Sequence, residues 1–263
     1  MNAHIASTAV MARRIEPGDS LDFFPTPPWA TRALCHHVLP RFERRTAEGK
    51  FWLTARDPAC GEGHMALALA EYFSAVSASD IFPYGYSPSP TVDFLHPECP
   101  FVRTDWVITN PPFNLGGAFV KQALRIAARG VAMLVRMQFL EGEGRFADIF
   151  RDTPPALIAQ FVERVPMHRG RWVVNGTTAT AYAWLVWMVN DQPPVDPLFT
   201  WIPKSRRALS KPDDWLRFSG CMDLPKEHAA MKALADLERI RAEAGKRSRA
   251  PQTAADFRME ALL

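Results

Sequence analysis

The segment that most restricts the fold is Asp57-Pro58-Ala59-Cys60-Gly61-Glu62-Gly63. A short apolar run over 51–55 leads into it, and an Ala/Leu-rich stretch with helical spacing over 64–73 leads out. Glycines at a strand-to-helix junction let the backbone turn tightly and let a ligand come close to the main chain, and a helix beginning there offers unpaired N–H groups. The turn is neither the dinucleotide fingerprint G-x-G-x-x-G nor a phosphate loop ending in Gly-Lys-Ser/Thr. Strand, glycine turn and helix in that order point to an open α/β sheet.

The rest of the chain repeats the alternation. Extended runs are expected over 75–79, 105–109 and 130–135, the last apolar throughout, as befits a parallel strand covered on both faces. Helical spacing covers 31–42, stopped in part by Pro40, and 117–128, where Phe119, Ala123, Leu124 and Ile126 form the apolar face. Two further runs, 159–165 and 180–189, flank a polar stretch over 168–178 and read as an antiparallel pair closing the sheet. The expected fold class is therefore α/β, a doubly wound, mostly parallel sheet. Pro193, Pro194 and Pro197 break the pattern, and 225–247 is helical and rich in charge. This divides the chain into a loose tail (1–20), one domain (21–190) and a small C-terminal extension (191–263) with possible nucleic-acid contact. There is no internal repeat.

Composition narrows the function classes. With 48% hydrophobic and 22% charged residues in 263, the chain is not a disordered polymer. No run approaches the roughly 18 apolar residues of a membrane-spanning helix, and the first residues lack the basic segment and cleavage site of a secretory signal. The cysteines, Cys35, Cys60, Cys99 and Cys221, never fall at C-x-x-C spacing, which argues against zinc and a disulfide framework and fits a reducing cytoplasm. Thirty-one Lys and Arg against 28 Asp and Glu leave a net charge of +3, so only the distribution of charge can mark a nucleic-acid surface.

Two further features carry chemistry. Asp80 closes the run 75–79, where an α/β nucleotide site places a carboxylate for ribose hydroxyls. Asn110-Pro111-Pro112-Phe113 follows the run 105–109 directly. Paired prolines stiffen the chain and force Asn110 into an extended conformation. The Asn110 side-chain oxygen and the Pro111 carbonyl then form two acceptors at nearly fixed separation beside the flat face of Phe113, an arrangement suited to a planar group bearing NH₂. The turn His168-Arg169-Gly170-Arg171-Trp172 is the candidate nucleic-acid contact, with a solvated hairpin whose Trp172 packs on the body as its equal alternative. A second basic group, Lys204, Arg206, Arg207 and Lys211, follows the proline boundary. His64 reads as a helix-start residue.

DPACGEG followed by NPPF, with Phe24-Pro25-Thr26-Pro27 upstream, resembles the class I S-adenosylmethionine-dependent methyltransferases, and among them the DNA adenine-N6 methyltransferases with the gamma motif order. The resemblance covers roughly 21–189. It implies a seven-stranded Rossmann-like methyltransferase sheet with an antiparallel last strand. It implies that Asp57, Pro58, Gly61 and Gly63 cradle the methionine part of S-adenosylmethionine, with Phe24 and Thr26 closing over it and Asn110 beside it. Asp80 would hold the ribose, and Asp93 with Phe94 the adenine. Asn110, Pro111, Pro112 and Phe113 would form the catalytic corner, gripping the target amine and stacking on its base. Cys60 has no nucleophilic role in that pattern, and no metal is implied.

The expected reaction is methyl transfer to the exocyclic amine of an adenine flipped out of double-stranded DNA. An adenine in RNA, a glutamine in protein, or an inactive cofactor-binding scaffold remain as alternatives. The short chain left after the sheet leads to the expectation of a short or relaxed recognition sequence.

Overall fold

The structure, a computed structural model, describes residues 22–86, 89–99, 103–173, 176–189, 192 and 194–218. The expected tail over 1–20, the helix over 225–247 and Cys221 lie outside the described residues.

Seven strands form one sheet in the order β2-β1-β3-β4-β6-β5-β7. They are β1 (Phe51–Asp57), β2 (Phe73–Ala78), β3 (Thr104–Thr109), β4 (Ala127–Arg136), β5 (Leu157–Phe161), β6 (Tyr182–Met188) and β7 (Leu198–Ile202). Helices are α1 (Pro28–Ala33), α2 (His64–Leu69), α3 (Gly116–Ile126), α4 (Glu143–Arg145), α5 (Arg206–Leu209) and α6 (Pro212–Arg217). All pairings are parallel except those of β6, which runs antiparallel to both β4 and β5. This is the doubly wound α/β sheet expected, with its antiparallel strand. The sheet continues past that strand, however: β7, beyond Pro197, pairs in parallel with β5 and so extends the sheet into the segment read as an extension.

Local chemistry explains the other departures. The helix expected over 31–42 begins earlier, at Pro28, because proline at the first helical position has no N–H to satisfy. It then widens into a π turn over Leu34–Val38 and tightens into a 3₁₀ turn over Leu39–Arg41, around Pro40. Helix α2 stops at Leu69, and β2 starts at Phe73.

The sheet has a core on each face. Trp29, Leu34, Val38 and Leu39 pack with Met65 and Leu69 on one side, and Phe119, Val120, Ala123 and Ile126 of α3 fill the other. Glycine is required at 130, opposite Trp106 on β3: a Cβ there would lie 2.5 Å from the indole. The Trp106 indole N–H donates to Glu43 Oε1 at 3.0 Å, and Arg129 holds the same carboxylate.

β1 pairs β2 on one side and β3 on the other, so the chain reverses its order of strand addition at β1. The carboxyl ends of these strands form the crevice where such sheets bind ligands. No helix among the described residues is long and apolar enough to cross a membrane, and no group of metal-ligating side chains occurs among them.

Candidate functional site

The site begins at the end of β1. Asp57 is 1% exposed, and its Oδ1 accepts the Thr109 hydroxyl at 2.7 Å and the Ala59 N–H at 3.4 Å. Its Oδ2 has no partner. Burial pushes the Asp57 carboxyl up to about 7, only partly opposed by those hydrogen bonds. The chain then turns through Gly61 (φ 53°) and Gly63 (φ 84°), both in the left-handed region that favours glycine. Space is restricted there as well: a Cβ on Gly61 would lie 2.3 Å from the Phe23 ring, and one on Gly63 2.4 Å from Tyr86.

Asp80, just past β2, ties the turn to the next loop. Its Oδ2 accepts the Gly61 N–H at 2.8 Å and its Oδ1 the Phe82 N–H at 3.1 Å. Burial raises its pKa from the ordinary aspartate value, against those backbone bonds. A carboxylate has about four lone-pair sites, so Asp80 can accept a further hydroxyl beside its backbone donors.

Asn110, past the end of β3, faces the N-terminal segment. Its Nδ2 donates to the Phe24 carbonyl at 3.1 Å and lies 3.6 Å from Met167 Sδ, while its Oδ1 is buried without a partner. The Phe113 N–H donates to Asp22 Oδ2 at 2.8 Å, and the Gly170 N–H to the Phe23 carbonyl at 2.9 Å. The segment 22–26 is thus stapled both to the Asn-Pro-Pro-Phe corner and to the basic turn. Phe23 stacks on Tyr84 with ring centroids 4.3 Å apart.

Phe24, Thr26, Asp57, Pro58, Gly61, Asp80, Asp93, Phe94, Asn110 and Pro112 line one cleft. The structure brings together residues spread from 24 to 112 in sequence. Gly63 does not line the cleft and lies against Tyr86. Asp93 is exposed and its Oδ1 accepts the Leu95 N–H at 2.9 Å, whereas Phe94 is buried against Phe119. Pro111 and Phe113 do not line the cleft, and the Arg136 guanidinium lies over the Phe113 ring, 3.6 Å from its centroid.

The basic turn divides. Arg171 is exposed and His168 and Arg169 are half-buried, but Trp172 is only 3% exposed and packs edge-on to His64 and Phe218. Trp172 is therefore a packing residue, not a surface platform: its indole fills an aromatic cluster beneath the turn. In the second basic group, Lys211 pairs with Glu71 and Arg206 reaches the Gly176 carbonyl.

Three cleft-lining side chains keep buried polar atoms without partners: Asp57 Oδ2, Asn110 Oδ1 and both ring nitrogens of His64. Each such atom costs about 1–3 kcal/mol unless something satisfies it. A ligand with complementary groups would offset that cost. His64 begins α2 as expected but also lines the cleft, while Phe23, Tyr84 and Arg136 were not singled out in the sequence. The aromatics carry no motif, but His64 adjoins the glycine turn, and that position was the available signal.

No protein-family model matches the chain, and no curated protein matches it. Solved structures do. A Listeria monocytogenes protein assigned to the class I S-adenosylmethionine-dependent methyltransferases is 14% identical, covering 77% of this chain and 72% of its own, with a TM-score of 0.51. A modification subunit of a type I restriction enzyme from Vibrio vulnificus is 16% identical, over 75% of this chain and 52% of its own (TM-score 0.47). An RNA methyltransferase from Pyrococcus horikoshii is 16% identical, over 66% and 91% (TM-score 0.46). The sheet order and the first of these likenesses define the fold as the Rossmann-like fold of class I methyltransferases.

Proposed function

We propose that the chain is an S-adenosylmethionine-dependent amino-methyltransferase acting on the N6 amine of an adenine flipped out of double-stranded DNA. The observation that carries this reading is Asn110 Oδ1, a buried acceptor without a partner at a stiff diproline corner on the wall of the cleft.

The residues fit the cofactor. Gly61 permits close approach of the main chain, the unpartnered Asp57 Oδ2 suits an ammonium, and Asp80 keeps lone pairs for ribose hydroxyls. Asp93 and Phe94 line the same cleft and would flank the adenine, and Phe24 and Thr26 line it from the N-terminal segment. When bound, S-adenosylmethionine supplies an electrophilic sulfonium methyl group.

The exocyclic amine of adenine is a poor nucleophile because its lone pair is delocalised into the ring. Asn110 Oδ1 and the Pro111 carbonyl, accepting its two N–H bonds, favour a pyramidal nitrogen and localise that lone pair. These acceptors act most strongly as charge develops, which is where binding energy raises a rate. Phe113 offers its ring to the base once the Arg136 guanidinium moves aside. Flipping costs a few kcal/mol of unstacking, and His168, Arg169 and Arg171 beside the segment 22–26 supply phosphate contacts.

The test is transfer of labelled methyl groups from S-adenosylmethionine to duplex DNA, RNA and protein by the wild type and by Asn110→Ala. Transfer to DNA is expected, falling roughly 100-fold or more in the variant while cofactor binding persists. Transfer to RNA or protein alone would replace DNA as the acceptor, and cofactor binding without any transfer would reduce the chain to a scaffold.

A further inference from the structure

His64 is a buried histidine that the reading above does not use. It is 2% exposed, begins α2 directly after Gly63, and lines the same cleft as Asp57 and Asn110. Neither ring nitrogen has a hydrogen-bond partner. The ring is held from two distant parts of the chain: Phe218 stacks on it with centroids 3.7 Å apart and planes 14° apart, and Trp172 meets it edge-on at 5.9 Å. Such packing fixes the plane of the imidazole while satisfying none of its polar atoms.

We infer that His64 is a binding residue for the carboxylate of the cofactor's amino-acid end, acting opposite Asp57; this rests on the cleft being an S-adenosylmethionine site. Two buried side chains of opposite character flank one turn. Asp57 Oδ2, at the end of β1, is an acceptor for an ammonium, and the imidazole N–H, at the start of α2, is a donor for a carboxylate. An α-amino acid group presents both charges on neighbouring atoms. Burial depresses the His64 pKa to about 3, so the ring is neutral in the empty site and carries one N–H donor. A neutral donor also avoids burying an unpaired cation when no ligand is present.

The test uses three ligands: S-adenosylmethionine, its decarboxylated form, which keeps the amine, and 5′-methylthioadenosine, which lacks the amino-acid end. Calorimetry on the wild type is expected to show a loss of about tenfold or more on removing the carboxylate, the scale of a charge-assisted hydrogen bond. His64→Phe is expected to bind S-adenosylmethionine about tenfold more weakly, to distinguish it no longer from the decarboxylated form, and to bind 5′-methylthioadenosine as before. His64→Asn and His64→Gln, which keep a donor, are expected to recover part of the discrimination. Nitrogen-15 spectra of the wild-type imidazole give a readout free of any variant: S-adenosylmethionine shifts a His64 ring nitrogen and the decarboxylated form does not. Discrimination that survives in His64→Phe, or ring nitrogens unmoved by S-adenosylmethionine, would overturn the inference. A wild type that binds none of the three ligands would instead overturn the reading of the cleft itself.

Discussion

Asp57 gives the site its pH signature. Its carboxyl is held at about 7 by burial in the empty protein, and an ammonium ligand favours the ionised form. Binding therefore releases a proton below that pH and none well above it. The affinity for S-adenosylmethionine is expected to fall up to about tenfold per pH unit below 7. Calorimetry across pH checks this, with Asp57→Asn expected to bind weakly and without pH dependence in that range. Gly61 is equally exacting. An alanine at φ 53° costs about 1–2 kcal/mol of backbone strain, and its Cβ would displace the Phe23 ring 2.3 Å away. Gly61→Ala is expected to lower the melting temperature by a few degrees and the cofactor affinity more than tenfold, read by thermal unfolding and calorimetry. A variant with unchanged affinity would show that the main chain at Gly61 does not approach the ligand. Asp57, Gly61 and Asn110 were legible in the sequence because each sits in a short motif whose geometry is local. His64 and Arg136 were not, since what distinguishes them is the company they keep: Phe218 and Trp172 around one, Phe113 beneath the other.

Among the elements, α6 depends on one buried arginine. Arg32 of α1 donates to both Asp214 oxygens at 2.6 Å, to Glu71 at 2.7 Å and to the Leu209 carbonyl at 2.8 Å. Lys211 adds a second ion pair to Glu71. This network draws residues 209–214 against α1, and Phe218 thereby reaches His64. Removing one partner of a buried pair leaves a charge uncompensated. Asp214→Ala is accordingly expected to destabilise the protein by about 3 kcal/mol, measured by urea unfolding. If α6 were only loosely attached, the loss would stay below about 1 kcal/mol, as for a surface pair. None of this could be read from Arg32 alone, which lies in an apolar helical stretch far from Asp214 in sequence. The strands were more legible. The run 130–135 is apolar throughout because β4 is buried between two helical layers, and the paired runs before and after the basic turn became β5 and β6. β7 escaped notice because Pro197 immediately precedes it and its outer residues, Leu198, Phe199 and Trp201, remain exposed.

At the level of the whole molecule, the sheet reverses its order of strand addition at β1, and every element of the site converges on that point: the glycine turn after β1, Asp80 after β2, Asn110 after β3. The segment 22–26 crosses them from outside the sheet and joins the corner to the basic turn. The order of these pieces along the chain was visible beforehand, whereas their convergence is a property of the topology. The central claim is that this crevice presents a bound S-adenosyl compound to Asn110. A crystal structure with S-adenosylhomocysteine tests it most directly. The ligand's ammonium is expected on Asp57, its ribose on Asp80 and its sulfur facing Asn110 Oδ1; a ligand bound elsewhere, or one whose sulfur turns away from Asn110, would contradict that claim.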